Sequence, residues 1–386
     1  MRKQLTSVLS AVILLAVLLG ACAPAATPTQ PPAPTAAPAP TKPPAATTVP
    51  PTAVPAPTAA PDLPKLGGKT IKMYAFGDLS GPFAAITGAL VNGANDMVAA
   101  INSSGGIYGA TLEMIMADTA GRVDNAVAIY DRYTSEDKNI VMMIIFDSAA
   151  QVALRDRINA DKIPVLGMAP TADGLYGGGP NGWQFTDIPL YPEQMSHFLQ
   201  YAQANWDTIK PAGAGDAIKL AHLSWPGAFG QASLTDKSRA ALKEMGIELV
   251  AEEQYELSPT ADTTTAILNA QAAGANLIWT NTLAFGTANL LNDLNALGVR
   301  DQFVVAGCML SLDGATYAFL KDPKYAYGLY GTHPVAWWND SANPGVARAN
   351  ILATVNNRDA RQKGIGRMIA ASAIDIGKVG LERAIL

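Results

Sequence analysis

The chain has 386 residues, of which 49% are hydrophobic and 15% are charged, and its formal net charge is −5. This length is enough for two or three domains, and the apolar content excludes a chain that is disordered throughout. The acidic charge balance excludes a basic surface for nucleic acid, and two cysteines are too few for a disulfide scaffold.

The N-terminal residues have the pattern of a secretory signal. Two basic residues precede an apolar run at 8–19, which is shorter than the roughly 20 residues that a membrane-spanning helix needs. The run ends in Leu-Gly-Ala followed by Cys22, which resembles the bacterial lipobox, whose cysteine is lipidated. We therefore predict a signal peptide at 1–21 and a lipid anchor on Cys22 that holds an extracytoplasmic protein at the membrane. The alternative is an ordinary signal peptide with an unmodified cysteine.

Residues 22–64 are predicted to form a tether. The segment consists almost only of Pro, Ala and Thr, and it contains 15 of the 27 prolines of the chain. Because proline lacks a backbone N–H and the segment has few large apolar side chains, we predict that it is disordered and extended. At roughly 3.1 Å per residue, it could hold the following domain on the order of 130 Å from the membrane.

Strand-like and helix-like segments alternate from residue 70 onward. The first set of strands is predicted from short apolar runs at 71–76, 112–116, 140–146 and 163–168. Helices between them are predicted from the spacing of apolar residues at 83–101, 123–133 and 149–160. This repeated order predicts a parallel sheet with helices on both faces, in which the uninterrupted apolar run at 140–146 is buried.

The same order starts again after a glycine-rich break at 177–182. The second set of strands is predicted at 217–224, 247–253, 276–280 and 302–306. The second set of helices is predicted at 192–206, 231–245, 262–273 and 287–297. We therefore predict an α/β fold of two Rossmann-like lobes, with a boundary near 187–191. Ligands are expected in the cleft between the lobes, at the carboxyl ends of the strands.

Four short motifs follow one another through the folded part. They are a Ser-Gly-Pro loop at 80–82, an Asn-x-x-Gly-Gly-Ile-x-Gly turn at 102–109, Asp118, and Phe-Gly at 229–230. Together they resemble the type I periplasmic binding proteins, and in particular the leucine/isoleucine/valine-binding receptors of ABC importers. The resemblance covers most of 69–386.

The resemblance implies a Venus-flytrap receptor, a monomer whose two lobes close over a small ligand before it docks on a membrane permease. It implies lobe I at 65–190 and 335–386, and lobe II at 191–334. The predicted last helix, at 368–385, would return to lobe I. Members of the family continue beyond such a helix, so we expect this chain to be incomplete at its C-terminus.

The resemblance also implies how lobe I would hold a ligand carboxylate. The family uses hydroxyls and backbone N–H groups of two loops, which correspond here to Ser148 and Ala149 and to Ala169 and Thr171. Ser80, in the Ser-Gly-Pro loop, completes this set of candidates. Ser148 could equally be a plain helix cap and Thr171 a turn residue. If Thr171 contacts the ligand, replacing it with alanine would weaken binding by about 1–2 kcal/mol.

In lobe II, Trp225 and Thr282 are candidates because they lie at the ends of predicted strands, and the resemblance points to Tyr191, Phe229 and Cys308. Phe229 corresponds to the aromatic residue that covers the ligand in the family, and Trp225 could either stack on the ligand or pack in the core. Cys308 stands where amino acid binders have the acidic residue that holds the ammonium group. An α-amino acid would then need another partner, because burying an unpaired ammonium group is costly. Asp147 or Asp173 could supply that partner, although aspartates in such positions are more often turn or cap residues.

The sequence offers no sign of catalysis. A G-x-S-x-G elbow, an H-E-x-x-H motif and a Walker loop are missing, and the three histidines, at 197, 222 and 333, are scattered. We predict no enzyme activity and no cofactor or metal. The predicted function is an extracytoplasmic receptor that binds an amino acid, a related amide or a carboxylate and delivers it to an ABC permease. The alternative is a ligand-sensing receptor that signals to a partner protein.

Overall fold

A computed structural model describes residues 63–177, 179, 182–358 and 365–385. The predictions of a signal peptide at 1–21 and of lipidation at Cys22 lie outside the described residues. The same holds for the tether prediction at 22–64, of which only the last two residues are described.

The first sheet has five parallel strands in the order β2-β1-β3-β4-β5. Its strands are β1 (Thr70–Gly77), β2 (Thr111–Asp118), β3 (Met143–Ile145), β4 (Val165–Gly167) and β5 (Gln184–Phe185). The helices that connect them are α1 (Ala84–Ser103), α2 (Val123–Glu136), α3 (Ser148–Asp161) and α4 (Ala172–Tyr176). We call this sheet and the helices packed on it lobe I.

Strand β3 is buried as predicted, but it is shorter than the apolar run at 140–146. It pairs with β1 and β4 only over Met143–Ile145, and all three of these residues are buried. Val141, within the same run, is 42% exposed. Apolar character therefore located the strand, whereas pairing on both sides set its length.

The second sheet repeats the arrangement of the first, with the order β7-β6-β8-β9-β10. Its strands are β6 (Lys219–Ser224), β7 (Glu248–Gln254), β8 (Leu277–Thr280), β9 (Val304–Gly307) and β10 (Leu329–Gly331). Its helices are α5 (Tyr191–Ala204), α6 (Trp206–Ile209), α7 (Gly227–Gly230), α8 (Asp236–Glu244), α9 (Thr264–Ala272) and α10 (Ala284–Ala296). We call this sheet with its helices lobe II. The predicted α/β fold of two Rossmann-like lobes is confirmed.

The helix predicted at 231–245 was wrong at its start, because α8 begins only at Asp236. A capping box sets this start: the Thr235 hydroxyl accepts from the Ser238 N–H at 3.1 Å, and the Ser238 hydroxyl accepts from the Thr235 N–H at 2.8 Å. Such reciprocal bonds satisfy backbone donors that a helix start leaves free. The separate short helix α7 precedes it.

The chain ends in two further helices, α11 (Pro344–Val355) and α12 (Ile365–Ile385), and both pack against α1. Among the described residues, α1 is long and apolar enough to span a membrane, but half of its most apolar window is buried inside the protein. We therefore interpret α1 as a core helix of lobe I. The lobe boundaries predicted from the sequence, 65–190, 191–334 and 335–386, stay predictions.

Candidate functional site

A cavity of about 190 Å³ lies between the two lobes. On the lobe I side, Asp78 follows β1 and Asp147 follows β3, and these two strands are neighbours in the sheet. On the lobe II side, Trp225 follows β6 and Leu283 follows β8, which are also neighbours. In each sheet the strand order reverses between these two strands, and ligands of open α/β sheets bind at such reversals.

Aromatic side chains from both lobes meet at the cavity. Phe83, from lobe I, has its ring 6.3 Å from the rings of Trp225 and Phe229 in lobe II. Trp225 is fully buried and packs on Phe285 with a ring separation of 4.8 Å. The ring of Tyr191 packs edge-to-face against the ring of Phe229, and the two ring centroids are 5.3 Å apart. The wall therefore offers aromatic faces and edges to an apolar ligand.

Two glycines of lobe II leave room for the backbone and the ring of Trp225. A Cβ on Gly230 would lie within 3.0 Å of the Trp225 carbonyl oxygen, and one on Gly286 would lie within 3.0 Å of the Trp225 ring. Real Cβ atoms do not approach so closely, so both positions require glycine. The Phe-Gly motif noted in the sequence therefore has a structural reason beside the aromatic one.

The loop after β1 is folded around two carboxylates. The buried Asp78 carboxylate accepts hydrogen bonds from the backbone N–H groups of Ser80, Gly81 and Phe83. The Ser80 hydroxyl donates to the Asp118 carboxylate at 2.6 Å, and this hydrogen bond is the main cause that lowers the pKa of Asp118. Ser80 thus closes the loop and lies away from the cavity wall.

The polar side chains at the start of α3 also form hydrogen bonds within the protein. Asp147 is the N-cap: its carboxylate accepts from the Ala150 N–H at 2.9 Å. Burial raises the pKa of Asp147, and the nearby Asp78 carboxylate adds to this effect. The Ser148 hydroxyl donates to the Ala169 carbonyl oxygen at 2.7 Å and so ties the two predicted ligand loops together. The cap that the sequence predicted at Ser148 was therefore one residue off.

Thr171 is the N-cap of α4. Its hydroxyl accepts from the Gly174 N–H at 3.0 Å, and the side chain lies outside the cavity wall. The sequence offered a ligand contact or a turn role for Thr171, and did not predict this cap.

Replacing Thr171 with alanine should lower the free energy of unfolding by about 1 kcal/mol, because the first turn of α4 loses its cap. Thr171→Ser keeps a hydroxyl at the same position and should retain most of the stability. Urea denaturation followed by circular dichroism measures both variants. Equal stability of the alanine variant and the unmodified protein would contradict the capping role.

Thr282 and Cys308 lie behind the wall, in a fully buried polar cluster. The Thr282 N–H donates to the Ser311 hydroxyl at 3.2 Å, and its own hydroxyl shares a hydrogen bond with Thr287. The Cys308 thiol lies 3.5 Å from the Ser311 hydroxyl, and burial raises its pKa. These groups stabilise the carboxyl ends of β8 and β9.

The structure brings half of the ten predicted ligand contacts to the cavity. Those on its wall are Ser148, Ala149, Ala169, Trp225 and Phe229. Those away from the wall are Ser80, Thr171, Tyr191, Thr282 and Cys308. Of the two acids proposed as ammonium partners, Asp147 is on the wall and Asp173 is exposed on α4. A direct role in ligand binding stays a prediction for each of these residues.

Other wall residues were not selected from the sequence. Among them are Asp78, Phe83, Phe146, Leu257, Leu283 and Leu310. Of these six, all but Phe83 lie within a few residues of the carboxyl end of β1, β3, β7, β8 or β9. The strand-end rule, which is the expectation that ligands bind at the carboxyl ends of the strands, would have found these five residues if it had been applied to every strand. Within the described ranges, no group of three or more His, Cys, Asp and Glu residues could hold a metal ion.

Comparisons with known proteins agree with this geometry. The sequence model of the family described as "periplasmic binding protein" matches residues 70–383. An amino acid binding protein of Pseudomonas aeruginosa is 24% identical over 247 residues, which cover 62% of this chain and 60% of that protein. This chain thus matches less than two thirds of the length of that relative.

Solved structures share the fold at low identity. A branched-chain amino acid ABC transporter protein of Thermus thermophilus with bound valine has a TM-score of 0.70 at 18% identity, covering 82% of this chain and 80% of that one. A solute binding protein of Rhodopseudomonas palustris in complex with p-hydroxybenzoic acid has a TM-score of 0.67 at 14% identity, covering 82% of each chain. With a two-lobe fold and a family match over most of its length, the chain belongs to the periplasmic binding protein family, whose members bind solutes and are not enzymes.

Proposed function

We propose that this protein is a lipid-anchored, extracytoplasmic solute receptor of an ABC importer, which delivers its solute to a membrane permease. The family itself implies a location outside the cytoplasm. The anchor is proposed from Cys22 at the end of the signal-like segment. The importer is proposed from the resemblance and from the similar proteins of Thermus thermophilus and Rhodopseudomonas palustris, both described as ABC transporter components.

The observation that carries the proposal is the cavity whose wall comes from both lobes. A solute there touches α3 and its preceding loop on one side and Trp225 and Phe229 on the other. Such contacts exist only when the lobes are close together, so binding favours the closed arrangement. A permease that docks only on this arrangement would then receive only loaded receptors.

The solute that fits is small and partly apolar. A cavity of about 150 Å³ holds a benzene ring in other proteins, so the volume of about 190 Å³ here suits a ring with a short polar group. Within the classes expected from the sequence, we propose an amino acid-like compound, a related amide or a carboxylate. The valine and p-hydroxybenzoic acid bound to the similar structures are molecules of this size.

Native mass spectrometry of the gently purified full-length protein tests the proposal. We expect a small molecule to co-purify, and Ala149→Trp to lower its occupancy at least ten-fold, because the indole fills the cavity from the first turn of α3. Ala153→Trp is the matched control, because Ala153 is an exposed residue one turn later on the same helix. This control should retain the solute.

Two results would count against a solute receptor. One is a protein that carries no small molecule and is stabilised by none in a thermal-shift screen of amino acids, amides and carboxylates, since a solute at 100 times its Kd adds about 2.7 kcal/mol. The other is equal retention by Ala149→Trp and Ala153→Trp, which would place the solute outside the interlobe cavity.

A further inference from the structure

The two charged residues that the structure describes on the wall of the cavity of about 190 Å³ are both acidic. Asp78 and Asp147 line it, and the part of the wall that the structure describes contains no Lys, Arg or His. Both carboxylates belong to lobe I, at the ends of the neighbouring strands β1 and β3. The site therefore presents negative charge to one end of a bound solute.

The backbone donors at this end are already used by these two carboxylates. Asp78 accepts from three N–H groups of the loop 80–83. Asp147 accepts from the Ala150 N–H at the start of α3. The Ser148 hydroxyl donates to the Ala169 carbonyl oxygen. A ligand carboxylate would thus meet two like charges and few free donors, which disfavours its binding.

The rest of the wall is suited to an apolar body. Aromatic rings of Phe83, Phe146, Trp225 and Phe229 surround the cavity, and Leu257, Leu283 and Leu310 add aliphatic surface. Aromatic faces also attract cations. The buried Trp225 Nε1–H has no hydrogen-bond partner among the described residues, so this half of the wall also offers one donor to an acceptor on the solute. An ammonium group directed at Asp147 would be paired, while its apolar body would be covered by the rings.

Resting on the proposed function, we propose that the solute is a ring-sized apolar compound with a primary amine, which is held by its ammonium group at Asp147, and that the site does not require a carboxylate. The amine replaces water around a carboxylate whose ionised form is otherwise penalised by burial, as the raised pKa of Asp147 indicates. Asp147 of lobe I thus takes the role of the acidic residue that amino acid binders have at the position of Cys308.

Three probes that share one ring test this proposal: benzylamine, benzamide and benzoate. Isothermal titration calorimetry with the full-length protein at neutral pH should show benzylamine binding at least ten-fold more tightly than benzoate, with benzamide between them. Asp147→Asn should remove the preference for the amine, and it should still fold because asparagine caps helices as well as aspartate does. Asp173→Asn, a control at an exposed acid outside the cavity, should keep the preference.

Benzoate binding as tightly as benzylamine would overturn the proposed ligand class, as would an amine preference that survives Asp147→Asn. Failure of all three probes to bind would overturn it too, since a ring-sized amine is what the cavity is inferred to accept. None of these results touches the receptor function, which depends on whether any solute is retained in the native mass spectrometry of the unmodified protein and lost in Ala149→Trp.

Discussion

Replacing Gly106 with alanine should lower the free energy of unfolding by about 2–5 kcal/mol. Gly106 has a φ of +69°, and a Cβ there would lie within 3.0 Å of the carbonyl oxygen of Ala110. A left-handed backbone costs an alanine about 1–2 kcal/mol, and forcing an atom into a packed site costs a further 1–3 kcal/mol. The obstacle is a backbone atom, which cannot move aside as a flexible side chain can.

Gly105 provides the control for this prediction. Its φ is +101°, but a Cβ at this position would have no atom within 4 Å. Gly105→Ala should therefore show only the backbone strain, about 1–2 kcal/mol. Thermal melts and urea denaturation of the two variants give the comparison. If Gly105→Ala and Gly106→Ala lost equal stability, the close approach to Ala110 would not matter.

The Asn-x-x-Gly-Gly-Ile-x-Gly turn at 102–109 has a structural role and does not line the cavity. The Asn102 side chain both donates to and accepts from the backbone of Leu112 at 2.8 Å, so it joins the end of α1 to β2. Ile107 is fully buried beneath the turn. The motif that carried the resemblance therefore fixes α1 against the sheet, and α1 in turn supplies Ile86 and Leu90 to the cavity wall.

The fold could be predicted from the sequence because its signals are local and repeated. Apolar runs and helical spacing each mark an element, and the βα order allows few arrangements besides two parallel sheets. Even the late start of α8 is readable, since Thr235 and Ser238 have the spacing of a capping box. What the patterns missed was mostly short, such as β5, which is only two residues long.

The candidate site could be predicted only in part, for a different reason. The strand-end rule locates the loops, but a polar side chain in a loop can face a ligand or its own backbone. The hydroxyls of Ser80 and Thr171 bond within the protein, to Asp118 and to the Gly174 N–H. Trp225 lines the cavity and also packs on Phe285 in lobe II, so its role in the core is present, whereas stacking on a ligand stays a prediction.

The second large effect is expected at the ion pair that joins the C-terminal segment to α1. Arg358→Ala should lower the free energy of unfolding by about 3 kcal/mol, because the Asp96 carboxylate, only 3% exposed, would stay buried without its guanidinium. In the structure the Asp96 Oδ1 accepts from Nε and Nη2 of Arg358 at 3.0 and 2.8 Å. Asn356 also donates to this oxygen at 2.7 Å, and among the described residues it is the partner that remains in the variant.

Arg348 of α11 is the matched control for Arg358. Its guanidinium lies 3.9 Å from Asp375, and both side chains are 52% exposed, so solvent screens the pair. Arg348→Ala should change stability by less than about 1 kcal/mol. Urea denaturation of both variants shows whether the stability comes from the burial of Asp96 or from the formation of an ion pair alone. The Asp96–Arg358 pair joins α1 to the segment after α11, and equal losses in the two variants would mean that the burial of Asp96 adds nothing to the strength of this link.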